Sequence, residues 1–131
     1  MTEVWEKVQH PSAGGIDLFV GTVRNHSSGE TIDRLEYTSY VPMAEREMAK
    51  IETAIRSRWP VYNAVLIHRI GMLNVGEIAV VTAVSSSHRN EAFEACRFAI
   101  DAIKLSVPIW KKEFTPAGGI VVSSAEHGSV S

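Results

Sequence analysis

The sequence predicts a single α+β domain in which a mostly antiparallel sheet is packed by two main helices. Three observations predict it. Two segments carry apolar residues at three- and four-residue spacing, the period of an amphipathic helix. Shorter runs between them are rich in β-branched and other apolar residues and are bounded by Gly, Pro, Asn or Ser. The elements follow the order β-β-α-β-β-α-β with short connections, a pattern that suits helices layered on a sheet.

Taken in order, Gly15 to Val23 reads as a strand, largely buried, and Arg24 to Glu30 as a polar loop rich in turn formers. Ile32 to Tyr40 alternates loosely and is a second strand. Pro42 can open a helix, because its missing N–H costs nothing in the first turn. Ala44, Met48, Ile51, Ile55 and Trp59 then form one apolar stripe, and Pro60 ends it. Ala64 to Ile70 is a strand, Gly71 to Gly76 a turn, and Ile78 to Ser85 a strand rich in β-branched residues. Ser87 is placed to cap a second helix, with His88 and Arg89 in its first turn. Phe93, Cys96, Ile100, Ile103 and Val107 keep helical spacing until Pro108. Ile109 to Thr115 is a final short strand. Residues 1–116 are thus expected to form the domain, and Ala117 to Ser131, small and polar, a mobile tail.

The chain has 131 residues and a net charge of -2, without the basic excess of a general nucleic-acid binder. Any anion site must therefore be a local cluster. Its one cysteine, Cys96, excludes an internal disulfide, and its place on the apolar stripe reads as core. No run approaches the ~18 apolar residues of a membrane span, and Met1 to Gly15 has no signal-like apolar run, so cytoplasm is the expectation by elimination. The five histidines show no metal-ligand spacing and no glycine-rich phosphate loop is present, so neither metal nor cofactor is expected.

The cationic residues gather at element ends. Arg24 and His26 follow the first strand, and His68 and Arg69 end the third. His88 and Arg89 sit at a helix N-terminus, where free N–H groups and three preceding serine hydroxyls suit an anion. An ordinary serine cap with solvated His88 and Arg89 is the plainer reading there, as a solvated loop arginine is for Arg24. Lys104 lies in the last turns of the second helix, where a cation is favoured in any case. Along the final strand, period two puts Ile109, Lys111 and Glu113 on one face and Trp110, Lys112 and Phe114 on the other. Two aromatics suggest that the second face packs against protein, with Lys112 snorkelling and Lys111 aimed at a cleft.

At these residues the chain resembles the molybdopterin synthase large-subunit (MoaE) family across about residues 13–116. The matching pieces are Phe19-Val20-Gly21-Thr22-Val23-Arg24-Asn25-His26, His68-Arg69-Ile70-Gly71, Ser87-His88-Arg89 with Glu91 to Ala95, and the run Lys104 to Glu113. All four in this order and spacing make the resemblance specific. It implies an α/β-hammerhead-like arrangement and a heterotetramer, in which two large subunits form a central dimer and a small ubiquitin-like subunit docks on each. The small subunit's C-terminal Gly-Gly carries a thiocarboxylate. The implied reaction moves two sulfurs from it to cyclic pyranopterin monophosphate, giving the molybdopterin dithiolene. Lys104 and Lys111 match the catalytic lysines, and Arg24, His88 and Arg89 match substrate-binding residues contributed by both large subunits. His26, Arg69 and Lys112 are secondary candidates. The chain departs from the family in a short Met1–Ala13 arm and a tail without Arg or Lys after Lys112. Readings from other classes are a non-catalytic anion- or nucleotide-binding module, a lysine Schiff-base enzyme, and a family member that binds the small subunit without turnover.

Overall fold

The computed structural model describes residues 1–125, with side chains through residue 120. In chain order the elements are α1 (Thr2–Val8), β1 (Gly15–Thr22), β2 (His26–Ser27), β3 (Glu30–Thr31), β4 (Arg34–Ser39), α2 (Val41–Arg58), β5 (Val61–His68), β6 (Gly71–Asn74), β7 (Ile78–Ser86), α3 (Arg89–Ser106), β8 (Ile109–Phe114) and β9 (Ile120–Ala125). One sheet runs β1-β7-β5 and a second runs β6-β4-β8-β9, while β2 and β3 form a small hairpin. Every pairing is antiparallel.

Strand β7 explains the layering. It is the central strand of its sheet, and nearly all of it is buried because both faces are covered. Val80 and Val84 join the main core with Ile51 and Ile55 of α2 and Ala95, Cys96, Ala99, Ile100 and Ile103 of α3. Val81 and Ala83, one residue out of phase, meet Val4 and Val8 of α1 on the other side. A third cluster of Val23, Leu35, Leu73 and Ala79 joins the two sheets. Ile55 has no exposed surface, and burying such a side chain contributes about 1.5–3 kcal/mol.

Cys96 belongs to this core, as its stripe position suggests. Its thiol donates to the Thr82 carbonyl at 3.4 Å. Desolvation by burial, reinforced by the nearby Asp17 carboxylate and opposed by the Thr82 hydroxyl, pushes the thiol up to about 11.

The α+β class and both long helices stand as expected, and four expectations need correction. Strand β1 is not largely buried: it is an edge strand, and Leu18 and Phe19 are 46% and 41% exposed. Gly71 to Gly76 is not one turn. Gly71–Asn74 pairs with β4, and the two glycines, with φ 98° and 88°, bracket the strand. A short helix at Thr2–Val8 was not foreseen, since Val4 and Val8 are the only residues it buries. The tail expected from Ala117 onward contributes strand β9. A turn closed by Gly118 N–H to Thr115 O at 2.9 Å and Thr115 N–H to Gly119 O at 2.8 Å returns the β-branched Ile120-Val121-Val122 run to β8. The remainder of that tail, 126–131, lies outside the described residues. No described helix is long and apolar enough to cross a membrane.

Candidate functional site

The α3–β8 corner builds the site. Ile103 and Val107 are buried on either side of Lys104 and fix the last turn of α3. Pro108 cannot continue the helix, so the chain reverses into β8, anchored by the buried Ile109. Period two then aims Lys111 and Glu113 inward, opposite Tyr37 and Leu35 of β4. From the neighbouring sheet, β1 ends at Thr22, Val23 is buried as an anchor, and Arg24 emerges exposed beside the same space. Lys104, Lys111 and Arg24 thereby line one cleft of about 260 Å³, with Tyr37, Leu35 and Glu113 as further walls.

This corrects the assignment of faces on the last strand. Ile109 and Glu113 are 2% and 4% exposed and Lys111 is half-buried, whereas Trp110 is 44% exposed and Lys112 faces outward. The inner face is taken by the residues that meet α3 and β4, which leaves the aromatics outside. Phe114 carries the Arg34 guanidinium 4.8 Å from its ring centroid.

Glu113 was not a candidate from sequence, although its spacing from Lys111 put both on one face. It sets a carboxylate among three cationic side chains. Its Oε1 is the one buried side-chain polar atom among the described residues that has no hydrogen-bond partner. A buried, partly unsatisfied carboxylate is costly, and this one shares its cleft with Lys104, Lys111 and Arg24. Tyr37 and Lys104 also line, with His68, a void of about 20 Å³. His68 Nδ1 lies 2.7 Å from the Arg69 carbonyl, an acceptor only, so Nδ1 carries the proton. Its ring stands edge-on to Tyr37, with centroids 4.8 Å apart.

The other expected site residues lie elsewhere. His88 is the N-cap of α3 and Arg89 its first residue; both are exposed beside an open depression shared with Gly14, Ser87 and Glu91. They stand at the opposite end of α3 from Lys104, about 22 Å away at 1.5 Å per residue. Ser87 does not cap the helix, which has no side-chain cap, and its hydroxyl is bonded to Tyr62 Oη at 2.8 Å. His26 lies on β2, 3.1 Å from Asn25 Oδ1 and outside the cleft. Arg69 donates to the Ile78 carbonyl at 3.3 Å and lies 3.9 Å from Glu77, a structural tie away from the lysines. Lys112 is on the outer face of its sheet. No group of three or more His, Cys, Asp or Glu residues able to hold a metal occurs among the described residues.

Residues 1–106 match the MoaE protein family. The chain is 49% identical over 111 residues to the human molybdopterin synthase catalytic subunit, covering 85% of this chain and 59% of that protein. It is 49% identical over 113 residues to the Bacillus subtilis protein of the same name, covering 86% and 72%. The chain therefore spans less than two-thirds of the length of its human relative. Among solved structures, the molybdopterin synthase from Staphylococcus aureus superposes with a TM-score of 0.85 at 40% identity, covering 95% of this chain and 89% of that one. Matched by sequence over most of its length and by fold over nearly all of it, the chain belongs to the MoaE family.

Proposed function

We propose that this chain is the catalytic subunit of a molybdopterin synthase. It would take one sulfur from each of two thiocarboxylated C-terminal Gly-Gly tails of the small ubiquitin-like subunit, used in succession and each left as a carboxylate, and place both on cyclic pyranopterin monophosphate, giving the dithiolene. The observation that carries this reading is the convergence of Lys104, Lys111 and Arg24 on one cleft. Both reactants are anions, a phosphate ester and a thiocarboxylate, and a cationic cleft is what brings like charges together. Sulfur leaves through a tetrahedral, oxyanion-like species at the glycine carbonyl. Ammonium groups fixed on a helix end and a strand stabilise that charge without reorganising. Lys104 and Lys111 are assigned to this role and to moving the accompanying proton. Arg24 is assigned to the substrate phosphate. The sulfur arrives on the partner, so the buried Cys96 thiol has no part in the chemistry.

His88 and Arg89 are assigned to the substrate as well. Being about 22 Å from Lys104 in the same chain, they reach it by way of a second copy. That copy presents the start of its α3 to this cleft, in a homodimer at the centre of a heterotetramer. The enzyme needs no metal or organic cofactor of its own and works in the cytoplasm.

The test is an anaerobic conversion assay. The chain is mixed with a thiocarboxylated small subunit and cyclic pyranopterin monophosphate, and dithiolene is read as its fluorescent oxidised derivative. The native chain should form product. Lys104→Ala and Lys111→Ala should each lose about a hundredfold or more in rate, the scale of losing an acid/base or oxyanion group. Absence of product with a partner shown to bind would leave an anion-binding module or a subunit that docks without turnover.

A further inference from the structure

The start of α3 is held by a device that its own sequence does not explain. Strands β5 and β7 pair in regular register except between Val61 and Asn63, where the ladder slips and leaves Tyr62 as the extra residue. Such a bulge re-aims one side chain while the strand continues. Here it aims the Tyr62 hydroxyl at Ser87, and the two oxygens lie 2.8 Å apart. The bulged carbonyl is not left bare, because Arg56 Nη1 donates to it at 3.1 Å. His10 stacks on the Tyr62 ring, 4.3 Å between centroids and 7° from parallel. The backbone beside the ring is tied as well, with Asn63 Nδ2 donating to Gln9 O at 3.1 Å and Ser86 Oγ to Pro60 O at 3.1 Å.

Ser87 immediately precedes His88, the N-cap, and α3 has no side-chain cap. A serine near a helix start ordinarily turns its hydroxyl onto first-turn N–H groups. The bond to Tyr62 draws this hydroxyl the other way and fixes the peptide that carries His88 and Arg89. We propose that Tyr62 is a positioning residue. Braced by His10, it holds Ser87 so that His88, Arg89 and the uncapped N–H groups of α3 are set for the phosphate of the substrate. This rests on the function proposed above, which gives that helix start its ligand.

The experiment uses the full chain with Tyr62→Phe, which keeps the ring and its stack, Ser87→Ala, and the double variant. Two readouts run side by side: kcat and KM for the pterin in the conversion assay, and binding of inorganic phosphate followed through the amide resonances of Ser87 to Asn90. Tyr62→Phe should raise KM about three- to tenfold, the scale of one hydrogen bond, with kcat within about twofold of native. Phosphate binding should weaken in parallel. The double variant should be no worse than either single one, because one bond is lost in all three. Unchanged KM and unchanged phosphate binding in Tyr62→Phe, in a chain that turns over normally, would overturn the positioning role and leave the function standing. So would a fall in kcat alone, or additive losses. A chain that forms no product, yet binds phosphate less well as Tyr62→Phe, would keep the positioning role and sink the function.

Discussion

The two ends of α3 are built on different terms. At its C-terminal end Lys104 is half-buried, flanked by the buried Ile103 and Val107, and faces a cleft walled by β4, β8 and the end of β1. At its N-terminal end His88 and Arg89 are exposed beside an open depression, steadied by a hydrogen bond from a bulged neighbouring strand. The first end is shaped within one chain and suits groups that must hold a fixed geometry through a reaction. The second projects outward and suits groups that complete a site on another molecule. Between them the helix is locked to the core through Ala95, Cys96 and Ala99, so neither end can move toward the other.

The largest effect should come from separating the ends onto different chains. Lys111→Ala and Arg89→Ala chains should each be nearly inactive alone. Mixed and reassembled, half the dimers would carry one intact site of two, so activity should recover to roughly a quarter of native by random pairing. No recovery, with mixed dimers demonstrated by mass spectrometry, would mean that each chain works alone and would erase the distinction between the ends. A smaller effect probes the cleft itself. Glu113→Ala removes the one carboxylate that lines the cleft with Lys104, Lys111 and Arg24, leaves like charges facing one another, and should cost about 1 kcal/mol in urea denaturation. Arg89→Ala, in the open depression, should cost nothing measurable there.

The middle of the helix can be tested through its thiol. The Cys96 thiol is raised to about 11 in the folded chain, from an ordinary value of 9.0. Between these values the unfolded chain has given up the proton and the folded chain retains it. The thiol's contribution is therefore complete below about pH 9 and lost as pH rises toward 11, by roughly 2–3 kcal/mol. Comparing denaturation midpoints with Cys96→Ala isolates this slope from that of other groups; equal slopes would mean the thiol is not buried as described. The smallest effect belongs to Arg69, whose 3.9 Å ion pair with Glu77 is half exposed. Arg69→Ala should change stability by less than about 1 kcal/mol and leave turnover as native.

Much of this was legible in the sequence. The stripes Ala44 to Trp59 and Phe93 to Val107 are long enough for their period to declare itself, and both are helices. Lys104 and Lys111 were legible as a pair only through the family resemblance; spacing alone placed each on its element and left a helix-end cation as the plainer reading of Lys104. The separation of Arg89 from Lys104 was legible too, since both lie on one helix of fixed rise. What escaped depends on distant partners. Helix α1 buries Val4 and Val8 against Val81 and Ala83 of β7, a contact so distant in the chain that no local pattern encodes it. Ile120 to Ala125 reads as a small, polar tail until the open edge of β8 offers it hydrogen bonds. Strand phase alone sorts Trp110 from Lys111 but does not say which side the rest of the protein will cover.

Gly14 and Gly15 set where α3 begins. A Cβ on Gly14 would collide with the Ser87 carbonyl oxygen, and one on Gly15 would come within 3.0 Å of the Arg89 Cα. Both obstacles are backbone, which cannot swing aside as a side chain would. The two residues behave as a spacer gauge of zero thickness, and any graft or fusion should join ahead of them. The exposed Ser12 can accept extra chain, whereas one added methyl at Gly14 would wedge the start of β1 away from the start of α3.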